Sequence, residues 1–173
     1  DGTIVEDSLG LTHIYTASGV YDVTLSITSP EGCVRDSLFQ EWITVHPVPV
    51  VSFTADTLMG CPGTEITFLN TTAPSLIGTC RWEFGDGNTV DECDVSHVYH
   101  APGWYTVHLH VTSPEGCEGD TTAWDAVRIL VPPTAAFSHS PSPTDLFRTT
   151  IDLQDLSSQG VVDWYWDMPE GDP

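Results

Sequence analysis

The chain has no lysine and only four arginines among its 173 residues, against 25 aspartates and glutamates, which gives a formal net charge of -21. A surface with so few cations cannot neutralise a run of phosphates, so we expect no nucleic-acid partner. The same charge opposes binding to an anionic membrane surface. Long apolar runs are also missing. No stretch reaches the roughly 20 residues of a membrane-spanning helix, so direct membrane insertion is not expected.

Helical periodicity is absent as well, and a period of two replaces it. Hydrophobic residues make up 40% of the chain and aromatic residues 10%, enough to build a core, while glycine and proline together number 27. Apolar positions that alternate with polar ones indicate strands with one buried face. About seven short strands separated by turn signals predict an all-β, immunoglobulin-like sandwich. The alternating positions are Val51 and Phe53; Ile66, Phe68 and Asn70; Cys80, Trp82 and Phe84; Tyr105, Val107, Leu109 and Val111; and Ile129 and Val131.

The sequence repeats itself with an offset of about 84 residues. The pentapeptide Ser-Pro-Glu-Gly-Cys at 29–33 returns letter for letter at 113–117. Self-similarity at a fixed period is the signature of a repeat architecture. We therefore predict the C-terminal half of one repeat at 1–46, a complete repeat at 47–131 and the N-terminal half of a further repeat at 132–173. Since half a β-domain cannot bury its own core, we expect the natural protein to continue past both ends.

The most distinctive motifs lie in the central repeat. Trp-Glu-Phe-Gly-Asp-Gly at 82–87, His-Val-Tyr at 97–99 and Pro-Gly-Trp-Tyr-Thr-Val at 102–107 resemble the PKD domain. The resemblance implies folded spacers or binding modules outside the cell, without catalytic residues. Its motif positions are interpreted as structural, with aromatic side chains in the core, glycines that permit the turn and an aspartate that caps it. They are Trp82, Phe84, Gly85, Asp86, Gly87, His97, Tyr99, Gly103 and Tyr105.

The placing of the cysteines is similar to that in PKD repeats of very large Bacteroidota surface proteins, including gliding-motility adhesins exported by the type IX system. That resemblance implies a cell-surface adhesin or stalk, whose partners are the neighbouring repeats and an unidentified surface glycan or protein. The alternative is an accessory region of a secreted protease or polysaccharide-degrading enzyme. No Ser-His-Asp, Cys-His or paired-carboxylate set has supporting context, so we do not expect an enzyme.

Five cysteines without a C-x-x-C spacing indicate an oxidising compartment. Cys80 and Cys93 occur only in the central repeat, and we predict that they are bonded to each other. Cys33 and Cys117 are copies of one position, and Cys61 precedes the second strand. These three are predicted to join neighbouring domains, with the partner of Cys61 beyond the C-terminal end of the sequence. A free thiol or an intradomain bond is the alternative.

No cofactor is expected, although calcium is possible because acidic residues cluster after the Gly-Asp-Gly turn. A solvated acidic surface is the favoured interpretation of that cluster. His108 and His110 lie two residues apart and could chelate a transition metal, but no third ligand is evident, so we interpret them as a solvated strand face. The calcium candidates are Asp86, Asp91, Glu92 and Asp94.

Four hydroxyl side chains stand in the Asp-Ser/Thr-apolar pattern that Bacteroidota O-glycosylate. We expect glycan on some of them if the chain comes from such a species, and surface glycans would be bulky and solubilising. They are Ser8, Ser37, Thr57 and Thr121.

Overall fold

A computed structural model describes residues 1–6, 10–140 and 150–168. The described part is all-β apart from one 3-10 turn at Pro74–Leu76. None of its helices is long and apolar enough to cross a membrane. The strands are β1 Gly19–Thr28, β2 Val34–Val45, β3 Phe53–Ala55, β4 Met59–Gly60, β5 Glu65–Asn70, β6 Thr79–Glu83, β7 Thr89–Val90, β8 Val95–Val98, β9 Gly103–Thr112, β10 Glu118–Ile129, β11 Phe137–Ser140 and β12 Asp152–Asp155.

Strands β3 to β10 form a sandwich of two sheets. One sheet has five strands in the order β4-β10-β9-β6-β7, and the other has three in the order β3-β5-β8. The long hairpin β9–β10 is antiparallel, whereas the short β4 pairs with the end of β10 in parallel. The predicted immunoglobulin-like sandwich is confirmed.

Most of the core of the sandwich falls on the alternating positions that the sequence indicated, and Val95, Tyr99 and Val127 are buried in addition. Trp82, Phe68 and Phe84 are fully buried, and all the buried apolar side chains of the described residues lie between Pro49 and Ile129. Such a core removes apolar surface from water on both inner faces, which is the main force that holds two sheets together. The expectation for Val131 is wrong: it lies beyond the end of β10, where no second sheet covers it, and is 79% exposed.

The N-terminal hairpin β1–β2 has the same geometry as β9–β10, with each strand 84 residues earlier in the chain. Both hairpins have matching registers and a bulge at the corresponding place. At the bulge the backbone takes a positive φ at a residue other than glycine, Glu41 (50°) in one hairpin and Asp125 (47°) in the other. The Tyr21 hydroxyl donates to a backbone carbonyl four residues earlier at 2.8 Å, and so does that of Tyr105.

The C-terminal hairpin β11–β12 similarly resembles β3–β5. Phe137 meets Trp166 edge to face at 5.4 Å between ring centroids, and Phe53 meets Trp82 in the same way at 5.0 Å. The described residues 161–168 contain no strand. The sandwich of β3 to β10 is therefore flanked by one hairpin of each kind.

Candidate functional site

The motif turn Trp82–Gly87 joins β6 to β7 at one end of the sandwich. Alternation along β6 sends Trp82 and Phe84 into the core, where both are fully buried. Gly85 and Gly87 have φ angles of 79° and 94°, a region that glycine adopts without strain. A Cβ on Gly85 would lie 2.6 Å from the Thr106 carbonyl oxygen, so the turn packs directly against the backbone of β9.

Asp86 ties this turn to β8. Its carboxylate accepts hydrogen bonds from the backbone N–H and side-chain amide of Asn88, each at 3.0 Å, and lies 2.8 Å from Nε2 of His97. Burial alone would raise the pKa of Asp86, but these hydrogen bonds and the nearby imidazole together lower it from its ordinary value of 3.8. The carboxylate therefore stays ionised and caps the turn, as the motif predicts.

Aromatic rings extend the same cluster into the core. The His97 ring stacks on Phe84 at 4.1 Å and meets Tyr99 edge to face at 4.6 Å, and Tyr99 contacts Tyr105 at 4.3 Å. The buried Tyr99 hydroxyl donates to the Phe84 carbonyl at 3.2 Å. Burial, with a smaller contribution from the Asp86 charge, raises the pKa of Tyr99 well above its ordinary range. The cluster thus fixes the turn against two strands and presents no nucleophile beside a base.

The structure does not gather the four calcium candidates into a site. Asp86 faces the motif turn, Asp91 forms an ion pair with Arg81 at 3.3 Å, and Asp94 accepts a backbone N–H from the end of β5 at 2.9 Å. Glu92 is exposed. Across the described ranges, no three His, Cys, Asp or Glu side chains are grouped so that they could hold a metal ion. Asp86, Asp91 and Asp94 instead each contact a different part of the sandwich.

The histidines of β9 project away from the core, since they alternate with the buried Leu109. His108 Nδ1 lies 2.8 Å from the Thr122 hydroxyl, and His110 Nε2 lies 3.5 Å from the Thr112 hydroxyl. Each ring thus has a local threonine partner on the outer face of the five-stranded sheet.

Cys80 and Cys93 form a disulfide, with their Cα atoms 5.0 Å apart. Cys80 lies on β6 and is buried, and Cys93 lies in the loop before β8. The indole N–H of Trp82 donates to the Cys93 carbonyl at 3.4 Å. The bond therefore anchors the loop after the motif turn directly beside the central tryptophan.

The other three cysteines are free thiols, and they lie at the two ends of the fold. Cys61 follows β4, which pairs with the last residues of β10, whereas Cys117 immediately precedes the first residue of β10. The ten residues of β9 separate these ends by about 30 Å, too far for an intradomain disulfide. Cys117 lies 3.9 Å from the carbonyl oxygen of His46, where the chain enters the sandwich, and Cys33 is exposed.

The glycosylation candidates differ in exposure. Ser37 is exposed on β2, and Thr57 and Thr121 are partly exposed. The Thr57 hydroxyl donates to the Met59 carbonyl at 3.1 Å. Ser8 lies outside the described residues. Glycosylation of these positions stays a prediction.

Sequence reasoning missed an exposed aromatic surface on the five-stranded sheet. Trp104 is 60% exposed and pairs across the hairpin with Arg128, whose guanidinium carbon lies 5.2 Å from the indole centroid. Trp124, at the bulge of β10, is 79% exposed. The alternation along β9 could have predicted this exposure. Tyr105 belongs to the inward-facing set, so the preceding residue, Trp104, faces outward.

Three known proteins are similar to part of this chain. A microbial collagenase of Vibrio alginolyticus is 35% identical over 92 residues, which cover 50% of this chain and 11% of that protein. The PKD1 domain of Vibrio anguillarum Epp is 28% identical with a TM-score of 0.42, over 49% of this chain and 98% of that one. The PKD1 domain of the Vibrio cholerae metalloprotease PrtV is 25% identical with a TM-score of 0.41, over 48% and 98%.

A sequence profile of the family described as "PKD domain" matches residues 46–129. That span contains both sheets of the sandwich, the whole motif cluster and the disulfide. Residues 46–129 of this chain match a PKD domain in sequence over the whole sandwich.

Proposed function

We propose that the chain is a non-catalytic segment of a tandem PKD array in a large secreted or cell-surface adhesin or stalk, of the kind that the type IX system exports. The observation that carries this proposal is the matching geometry of β1–β2 and β9–β10, including register, bulge and positive φ, 84 residues apart. Such a match supports repeat units at 1–46, 47–131 and 132–173.

Extension is the mechanical role of such an array. Each domain has its own core, so the array can lengthen without a larger core. Prolines at 47, 49, 132 and 133 restrict the backbone where one unit follows another. Cys61 and Cys117 lie at opposite ends of the sandwich, and in the proposed array they join a domain to the next and to the previous one.

An extracellular location is supported by the disulfide, since such bonds persist in oxidising compartments. The motif cluster lacks a nucleophile beside a base, which favours a structural role over catalysis. The array would present its surface to an unidentified glycan or protein. The outward face around Trp104 and Arg128 is the candidate contact, because an exposed indole beside a cation can stack on a ligand while the guanidinium donates hydrogen bonds.

The alternative is an accessory region of a secreted hydrolase. The match to a microbial collagenase favours it, although this chain spans only 11% of that protein's length. In that case the domain would space a catalytic unit from its substrate or hold the substrate nearby.

One experiment separates the two functions. An antibody against residues 47–131 is applied to intact producing cells, and the culture medium is examined by immunoblot and by gelatin zymography. Labelled cells and a cell-bound protein much larger than 173 residues are expected for the array. An unlabelled cell surface, with a secreted band that co-migrates with proteolysis, would contradict it and support the hydrolase. Permeabilised cells and a cytoplasmic marker control for lysis.

A further inference from the structure

Two imidazole side chains share the outer face of strand β9. His108 and His110 alternate with the buried Val107 and Leu109, so both rings project from the same side of the five-stranded sheet. A rise of about 3.4 Å per residue puts their Cα atoms about 7 Å apart. Imidazoles at that separation can lean together onto one transition metal ion, at nitrogen–metal distances of about 2.0–2.1 Å.

The first ring, His108, is held in a way that suits a metal ligand. Its Nδ1 lies 2.8 Å from the hydroxyl of Thr122, the residue opposite it on β10. When Nδ1 donates its N–H to that hydroxyl, Nε2 carries a lone pair, and within the described residues Nε2 has no hydrogen-bond partner. Metal-bound histidines usually donate their other ring N–H to a neighbouring oxygen, which fixes the tautomer and the ring orientation. Thr122 supplies that oxygen here.

The second ring, His110, is held only weakly. Its Nε2 lies 3.5 Å from the Thr112 hydroxyl, beyond the usual range of about 2.7–3.2 Å for a hydrogen bond to nitrogen. The part of the chain that the structure describes gives this ring no other hydrogen bond. Little therefore opposes a turn of His110 towards its neighbour.

Charges around the two rings favour a cation. Glu83 on β6 and Asp120 on β10 are cross-strand neighbours of the histidines and are exposed on the same face. Arg81 is the remaining charged neighbour, but it forms an ion pair with Asp91 at 3.3 Å, which compensates its charge. The whole chain carries a formal net charge of -21, and such a field concentrates cations at the surface.

The histidine pair is specific to the central repeat. In the matching hairpin β1–β2, 84 residues earlier, Thr24 and Ser26 stand in its place. Both hairpins have the same strand register, so the strand forms without histidine at these positions. The two imidazoles are therefore available for a role other than building the sheet.

We propose that His108 and His110 bind one divalent transition metal ion, and copper(II) most tightly. Imidazole suits copper, nickel and zinc, and copper(II) binds most strongly in that series. The described residues bring no third protein ligand to this point, so water completes the coordination. A metal held in this way keeps open positions, which a donor from a partner molecule can occupy. This inference goes beyond the proposed function and holds for an adhesin and for a hydrolase alike.

The test is isothermal titration of the 173-residue chain with copper(II) chloride. The free thiols are alkylated so that they neither bind nor reduce the metal, and glycine keeps the free ion soluble. The pH is about 7.5, where imidazole is mostly neutral. The wild type should bind one ion tightly. His108→Thr and His110→Ser, which insert the residues of the first repeat, should each weaken binding at least about tenfold.

Thr122→Val removes the hydroxyl beside Nδ1 and no ligand, and it should weaken binding by about 10- to 100-fold. His100→Gln, in the loop after β8, is the matched control and should bind copper like the wild type. Electron paramagnetic resonance of the bound copper should show coupling to two imidazole nitrogens.

Urea midpoints of the copper-free variants should equal that of the wild type, which separates lost binding from lost folding. Three results would overturn the proposal: wild-type binding no tighter than that of the His108→Thr/His110→Ser double variant, a spectrum with a single nitrogen, or a loss of binding in His100→Gln.

Discussion

The two glycines of the motif turn, Gly85 and Gly87, have different surroundings. Both have positive φ, but the space beside Gly85 is filled by the backbone of Thr106, whereas nothing lies within 4 Å of a Cβ on Gly87. A methyl group at Gly87 would meet only backbone strain, while one at Gly85 would also collide with β9.

We therefore expect Gly87→Ala to lower the free energy of unfolding by about 1–2 kcal/mol, the cost of a left-handed conformation for a residue with a Cβ. Gly85→Ala should cost at least about 3 kcal/mol, because a backbone atom cannot move aside as a side chain can. Urea denaturation of the two variants compares them directly. Equal losses would show that the turn does not depend on its contact with β9.

Asp86 should make the free energy of unfolding depend on pH in the acidic range. Its native pKa lies below the ordinary value of 3.8, so the folded state binds the proton less tightly than the unfolded chain. The stabilisation is complete above 3.8 and is lost as the pH falls through the lower native pKa.

Asp86→Asn should therefore cost about 1–2 kcal/mol near neutral pH, from weakened charged hydrogen bonds. The difference from the wild type should shrink as the pH falls below 3.8, which urea midpoints across that range would measure. Asp91→Asn, which removes a carboxylate just after β7 that pairs with Arg81 and not with His97, is the control. A difference that stays constant with pH would contradict the role of Asp86.

Side-chain roles in the central motif were largely predictable because alternation and turn chemistry are local properties. Trp82 and Phe84 fall on the buried phase, and the Gly-Asp-Gly sequence indicates a turn. The positive φ of Glu41 and Asp125 was not predictable, since it arises from a bulge that depends on which strands pair. The separation of the calcium candidates was also hidden, because Asp86, Asp91 and Asp94 each have a different partner brought there by the fold.

Among the elements, β5, β6 and β9 followed from their period of two, whereas β4 did not. Met59–Gly60 is too short for a periodic signal, and its parallel pairing with β10 depends on a contact distant in sequence. The alternating set around Cys80 gave no distance to Cys93 either. Their joint occurrence in one repeat, and the position of Cys93 just past the turn that follows the strand of Cys80, were the clues to the pair.

The Cys80–Cys93 bond closes a loop with a sequence separation of 13 residues. A loop of this size restricts the unfolded chain by about 3 kcal/mol, so Cys80→Ala/Cys93→Ala should lower the unfolding free energy by about that amount. Chemical denaturation with and without dithiothreitol measures the effect, and reduction should reproduce the variant. Cys61→Ser, at an exposed free thiol, should change stability by less than about 0.5 kcal/mol. Insensitivity of the wild type to reduction would argue against the bond in solution.

For the whole molecule, folding should be confined to the central domain. The buried core of the described residues lies within 51–129, while both hairpins expose the positions that a complete sandwich covers. Residues 47–131 should therefore fold alone, and residues 1–46 should not. Amide exchange on the two separate fragments measures this. Strong protection in isolated 1–46, or an unfolded 47–131 with its disulfide intact, would show that the unit boundaries are wrong.

The position of β10 has a consequence for how the domain carries tension. The incoming chain packs at Gly119, near the start of β10, where an added Cβ would lie 3.3 Å from a methyl carbon of Val51. The chain leaves the sandwich at Ile129, the last residue of the same strand. A pull on the two ends therefore runs along β10 and slides it past β9 and β4. In that direction the hydrogen bonds along the strand share the load together instead of opening one at a time, so the domain should resist stretching far better than a hairpin pulled apart from one end.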